Sequence, residues 1–460
     1  MINFYIKYKI EIFVFLLALF ARTILFSINL NNTDFNVINA IHGDDGYYEI
    51  SKGILAGKGF TGYLTGPYHP DPLRPPVWPF LIAFIAGIFG TYWAVVVFEI
   101  LIGSLIPVLG LLIVRRLFLN QKIALGTGIL MALEPYSVLL SSLLYSETMF
   151  TFLFLVFFYF LVKYFGDYSM RNLVWMSVFL GLATMTKLTI QYVPIVLAIT
   201  MIFVTYKLGQ IKWKDISIML SIFCFLIIPW VCRNYVEYGK LGLSAQPAFN
   251  LYVYLVPTVL SIDNHTSFSL EHQKFVRKGN FDENSINLSN ADYYSSQAIK
   301  ILKDHKFAIV KSVCTTLITF FTHDGLLTVF QNAGIVVNNT ANRPVLSLLL
   351  TDPLNLLRFI FSQIKGWGLF ILLARIVWIA VTLLMFIGIF KYLRNERLKV
   401  SILIALFIVA YFALTTAING FGVNARFKVP VEVFIFAFAL YGLFSLKRDN
   451  VIIDQLVKKK

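Results

Sequence analysis

Residues Ala94–Val114 read AVVVFEILIGSLIPVLGLLIV, carry one charge (Glu99), and run straight into Arg115-Arg116. The stretch is as long as the ~20 residues a helix needs to cross a ~30 Å hydrocarbon core. Lipid offers no partner for open backbone groups, so helix is the state such a run must take there. The runs Ile10–Leu30, Ile216–Val231 and Ile376–Phe390 have the same character. Together they specify an all-α polytopic membrane protein.

Composition extends this reading to the whole chain. Of 460 residues, 58% are hydrophobic and 14% charged, where a soluble domain is nearer half apolar and about a quarter charged. A net charge of +15 would suggest nucleic acid in a soluble protein. Here most Lys and Arg fall where the positive-inside rule wants them, so no nucleic-acid partner is expected. Cys224, Cys232 and Cys314 lie in or near apolar segments and read as packing residues, with neither a disulfide framework nor zinc spacing. The first apolar run is too long for a signal-peptide core and no small-x-small site follows it, so it reads as a span. No Walker loop, GxGxxG, HExxH or GxSxG is present.

Basic clusters alternate with loops poor in Lys and Arg, and this sets an expected threading. Lys7 and Lys9 start inside, so residues 31–91 form a first outer loop. Arg115, Arg116 and Lys122 return inside, a helix over 123–140 exits, and Ser141–Thr148 lie outside. Lys163 and Arg171 are inside, Lys187 sits at an outer turn, and Lys207, Lys212 and Lys214 are inside again. A helix over 215–232 then exits. The expected organisation is a transmembrane module at 1–232, an outer-face region with interfacial helices at 233–366, and C-terminal transmembrane helices with a basic cytoplasmic tail at 367–460. Segments 306–322 and 345–364 are apolar, but Lys311, Asp352 and Arg358 make crossing costly, by roughly 2.5–3.5 kcal/mol per mid-bilayer charge. Laid on the outer surface they leave about ten spans; crossing would give about twelve.

The unusual polar residues converge on the outer side. His42-Gly43-Asp44-Asp45-Gly46-Tyr47-Tyr48 follows the first span. Paired acids can serve as a general base or hold a divalent cation such as Mg²⁺ or Mn²⁺, and a solvated turn reads as well. Glu147, in Tyr145-Ser146-Glu147, stands at a helix start, where an N-terminal role is equally natural. Arg74 precedes Pro75-Pro76, which stiffen the backbone around a cation suited to a phosphate; snorkelling is the bland alternative. Arg233, Arg426, Lys428 and Lys187 all run against the positive-inside trend, which suggests an anionic ligand outside. Arg22, inside the first span, is expected to face the bundle interior.

In order along the chain, these pieces resemble the GT-C superfamily of polyprenyl-phosphate-sugar-dependent glycosyltransferases, the bacterial relatives of protein O-mannosyltransferases and lipid A aminoarabinose transferases. The landmarks are Gly43-Asp44-Asp45-Gly46-Tyr47-Tyr48, Gly57-Lys58-Gly59-Phe60, Arg74-Pro75-Pro76-Val77-Trp78-Pro79, Arg115-Arg116-Leu117-Phe118, Tyr145-Ser146-Glu147-Thr148, Pro229-Trp230 with Arg233-Asn234-Tyr235, and Arg426-Phe427-Lys428-Val429-Pro430. The resemblance implies that Asp44 is the essential first-loop acid, deprotonating the acceptor or helping Asp45 and Glu147 hold a metal. It implies that Arg74 contacts the carrier phosphate, although Leu73 stands where aminoarabinose transferases have an acid. Glu147 matches the second-loop acid, and Arg233 and Arg426 match outer basic positions facing phosphate or sugar. Lys187 joins this expected donor-phosphate set, and Tyr47, His69 and Asn234 complete the expected substrate-binding set. The implied reaction is hexosyl or pentosyl transfer, with inversion, to a glycan, lipid or protein acceptor outside the plasma membrane. A lipid-glycan transporter or flippase would show repeat-related halves and mid-membrane polar residues instead. A glycan polymerase or ligase would use a diphosphate-linked donor.

Overall fold

The computed structural model describes residues 2–43, 45–207, 209–278, 285–337, 354, 358, 360–361, 366–417, 420 and 424–457. All regular elements among them are helical. The N-terminal half comprises α1 (Ile2–Asn32), α2 (Val37–Ile41), α3 (Tyr47–Leu55), α4 (Val77–Phe89), α5 (Trp93–Phe118), α6 (Gln121–Leu133), α7 (Pro135–Leu140), α8 (Glu147–Asp167) and α9 (Met170–Thr184). After α10 (Val193–Lys207) and α11 (Trp213–Tyr238) come the shorter α12 (Gln246–Phe249), α13 (Val256–Asp263), α14 (Phe268–Lys278) and α15 (Ala291–Lys303). The bent pair α16 (Lys306–Thr322) and α17 (Leu326–Asn332) precedes α18 (Gly368–Asn395), α19 (Val400–Ala417), α20 (Asn424–Lys428) and α21 (Glu432–Val457).

Eight helices among the described residues are long and apolar enough to cross a membrane, or nine if α16 and α17, bent by 66°, form one broken span. This is a multi-pass membrane protein. The expected count of about ten relied on two further passes. One, over 123–140, is split between α6 and α7, because Pro135 cannot continue the helix and Glu134 turns extended (ψ 116) to cap α7 through Ser137 N. The other, α9, is a short helix ending at Thr184. Segment 306–322 is the helix α16, and together with α17 it is long and apolar enough for a span bent by 66°. Most of 345–364 lies outside the described residues.

Packing places the core around α5 and α8. Phe150, Phe154, Phe157 and Phe158 of α8 are buried; Phe150 and Phe154 meet Phe412 of α19, and Phe158 meets Phe434 of α21. Lipid tails are as apolar as these rings, so interdigitation rather than water expulsion favours the association. Small residues allow the closest approach: a Cβ on Gly388 of α18 would collide with the Phe438 carbonyl of α21. Arg22 is inside the bundle, as expected, and donates to the Ala18 and Ala132 carbonyls. The three cysteines are free but exposed on the helix exteriors, not packed inside. Apolar content alone does not say which face of a span meets lipid.

Candidate active site

Five separate pieces of chain bring charged side chains to one end of the bundle. Asp45 lies in the turn before α3, where Gly46 takes a left-handed conformation (φ 76). Gly43 in the same turn presses on Tyr145; a Cβ there would come within 2.6 Å of its ring. Arg74 is fixed by a turn in which Asp71 Oδ1 accepts from Leu73 N at 2.9 Å and Arg74 N at 2.6 Å. The loop is clasped from α12 and its approach: Ser244 donates to Leu73 O, and Ala245 N to Pro72 O. Glu147 opens α8. Lys187 is an extended residue just after α9, and Val77 N bonds Met185 O nearby. Arg426 lies on α20.

Arg426 is the hub. Its guanidinium grips fully buried Glu147 with both arms, Nε to Oε1 at 2.5 Å and Nη2 to Oε2 at 2.9 Å, and Nη2 also donates to Asp45 Oδ2. Lys187 donates to Glu147 Oε1 from the other side and lies 4.7 Å from the Phe427 ring centre. Arg74 donates through Nε to the Asp45 carbonyl (2.6 Å) and through Nη1 to Gln246 (2.9 Å), while its Nη2 stands 3.9 Å from Asp45 Oδ1. Arg426 covers Tyr145 at 4.2 Å, and Arg74 stands 5.8 Å from the ring centre of buried Tyr47. A planar five-donor fork can serve two carboxylates at once, which a point charge cannot.

The electrostatics follow from this arrangement. Burial alone would raise the Asp45 carboxyl, but the Arg426 guanidinium overrides it by charge and hydrogen bond, with Arg74 and Lys187 adding to the effect, and holds it at about 2. Burial pulls Lys187 below the ordinary lysine value, with the Glu147 carboxylate opposing. Burial would lower Arg74 too, yet Asp45 leaves it raised. Burial pushes the Tyr47 phenol up.

The expected residues thus divide. Asp45, Glu147, Arg74, Lys187, Arg426 and Tyr47 converge. Asp44 lies outside the described residues. Arg233 sits apart, its guanidinium over Trp230 (4.7 Å), Phe60 (5.4 Å) and Tyr238 (5.7 Å), donating to Asp71 O and to Asn234 Oδ1. Asn234 is buried and spends its amide on the Gly242 and Leu243 carbonyls. His69 is exposed against Tyr63. Asp71, Gln246 and Tyr145 were not singled out in the sequence as members of the site. Asp71-Pro72 just before the Arg-Pro-Pro run is the one signal that could have marked its turn. Asp45 and Glu147 share Arg426, and no cluster of three metal-ligating side chains exists among the described residues, which leave out Asp44.

Residues 73–232 match the family model for dolichyl-phosphate-mannose-protein mannosyltransferases, a GT-C family, in agreement with the resemblance read from the sequence. That segment carries Arg74, Glu147 and Lys187. No curated protein sequence matches the chain. Among solved structures, the Archaeoglobus fulgidus oligosaccharyltransferase complex with Zn and sulfate is similar at 15% identity and TM-score 0.46, covering 95% of this chain and 51% of its own. ArnT from Cupriavidus metallidurans bound to undecaprenyl phosphate is similar at 14% identity and TM-score 0.38, covering 93% and 77% respectively. The chain spans about half the length of the oligosaccharyltransferase.

Proposed function

We propose that this protein is a GT-C-type glycosyltransferase that moves a hexosyl or pentosyl group from a polyprenyl-phosphate donor to a hydroxyl of a glycan, lipid or protein. The reaction takes place on the extracytoplasmic face of the cell membrane. The observation that carries the reading is the convergence of Arg74, Lys187 and Arg426 with Asp45 and Glu147, drawn from five separate elements. Three cations directly paired with two carboxylates leave positive charge for an anionic leaving group.

In the step itself, a carboxylate takes the acceptor hydroxyl proton and the acceptor oxygen forms a bond to the anomeric carbon. The bond from that carbon to the phosphate oxygen breaks, its electron pair leaving on the carrier phosphate. One displacement inverts the centre. Arg74 and Lys187 suit the leaving phosphate, since neither is held by both arms of a carboxylate. Asp44, by family resemblance, is the base. Arg426 fixes Asp45 and Glu147 side by side and offsets the repulsion between two carboxylates there.

The test is transfer from a synthetic polyprenyl-phosphate sugar by the purified protein in detergent, with impermeant cysteine labelling at Gln331 in intact cells to place the face. Release of free polyprenyl phosphate with matching glycosylated acceptor supports the reading. Transport of intact lipid-linked glycan without bond cleavage, or use of a diphosphate-linked donor alone, overturns it.

A further inference from the structure

The short helix α20 has five residues and continues through a 3-10 turn, Val429–Val431, into α21. Side-chain contacts on its two faces add to that continuity in keeping Arg426 in place. Residues two apart on a helix point about 200° apart, so Arg426 and Lys428 leave α20 on opposite sides. The Arg426 side reaches Asp45 and Glu147. On the other side Lys428, 1% exposed, donates to the His323 carbonyl at 2.5 Å and stands 3.1 Å from the Trp378 ring centre.

Those two contacts belong to different supports. His323 lies at the bend between α16 and α17, and Trp378 is on α18. The bend is itself braced. Asp324 accepts from Arg375 of α18 at 2.6 Å, and Gly325, left-handed at φ 70, is pressed so closely that a Cβ would lie 2.5 Å from Tyr136 of α7. The acids Glu432, Glu134 and Asp324 act on the Lys428 ammonium as counter-charges, against the like charge of Arg375. A buried ammonium is retained at such cost only where acceptors and counter-charges surround it.

We propose that Lys428 is a positioning residue for Arg426: it clamps α20 to the α16–α17 bend and α18, so that the guanidinium can span Asp45 and Glu147. This rests on the glycosyl-transfer reading for its catalytic consequence, but not for its structural one. The bend then supports the site although none of its side chains enters the Arg426 cluster.

The test is a double-mutant cycle. Lys428→Met alone would strand buried acids and could simply misfold, so it is paired with Glu432→Gln, and Lys428→Arg serves as the charge-keeping control. In transfer assays, Arg426→Lys should cost much less in the Lys428→Met/Glu432→Gln background than in the wild type, a coupling of at least about threefold. The loss should fall on kcat more than on donor KM, and Lys428→Arg should recover part of it. Multiplicative, independent effects overturn the proposal. A second cycle needs no activity: the fall in denaturant midpoint caused by Glu147→Gln should shrink in the Lys428→Met/Glu432→Gln background. If transfer from the lipid donor fails in the wild type, the functional reading fails, and the unfolding cycle still decides the clamp. An unchanged Glu147→Gln midpoint shift overturns it.

Discussion

Glu147→Gln should destabilise the fold more than Arg426→Ala, although Gln is nearly isosteric and Ala removes a whole side chain. The reason is charge balance. Glu147 is fully buried between Lys187 and Arg426. Removing Arg426 leaves two intact pairings, Lys187 with Glu147 and Arg74 with Asp45. The loss is then that of charged hydrogen bonds, about 1.5–3 kcal/mol. Neutralising Glu147 instead leaves Lys187 and Arg426 facing one another with Asp45 as their shared counter-charge. Stranding buried charge in this way costs about 3–5 kcal/mol. Adding Lys187→Met to Glu147→Gln removes one stranded cation and should restore at least about 1 kcal/mol. The assay is denaturant unfolding of the purified protein in one detergent, comparing midpoints at equal slope. The reasoning is refuted if Glu147→Gln lies within the ±0.5 kcal/mol typical of surface substitutions, or if Lys187→Met deepens its effect.

Three further outcomes are expected. Asp44→Asn should lower turnover by about 10²–10⁴-fold with donor binding kept, the usual worth of a general base, and Asp45→Asn less; near-normal turnover by Asp44→Asn removes the base assignment. Arg74→Ala should weaken donor use roughly ten- to a hundredfold while expression and insertion persist, and unchanged kinetics with donor varied would take Arg74 out of the site. Asp45 has a folded value of about 2 against an ordinary 3.8, so its stabilisation is complete above the unfolded value and is lost as pH falls from about 4 toward 2. On the order of 2 kcal/mol is then lost in acid unfolding of the wild type and absent in Asp45→Asn.

The membrane class was legible because it depends only on local runs: Ala94–Val114 must be helical in lipid whatever surrounds it. Span count was less legible. Glu134-Pro135 breaks an apolar stretch that reads as one helix, and the bend at His323–Gly325 lies between two segments whose hydropathy says nothing of angle. Residue type and loop position also marked Arg74, Glu147, Lys187 and Arg426, because cations and acids out of place beside a membrane need a reason.

What the sequence determined by itself was therefore the class, the helical runs and the inventory of charges, since each is set by residues adjacent in the chain. Partners were decided only in three dimensions. Arg426 and Glu147 are 279 residues apart, and nothing local says that one guanidinium will hold that carboxylate together with Asp45. Nor does the sequence separate Arg233, stacked on Trp230, from Arg426, although both break the positive-inside trend. Lys428 lies two residues beyond Arg426, yet its direction follows from the helical phase of α20, which sends it to His323 and Trp378. Side-chain direction and long-range pairing are products of packing, and packing is a property of the whole bundle.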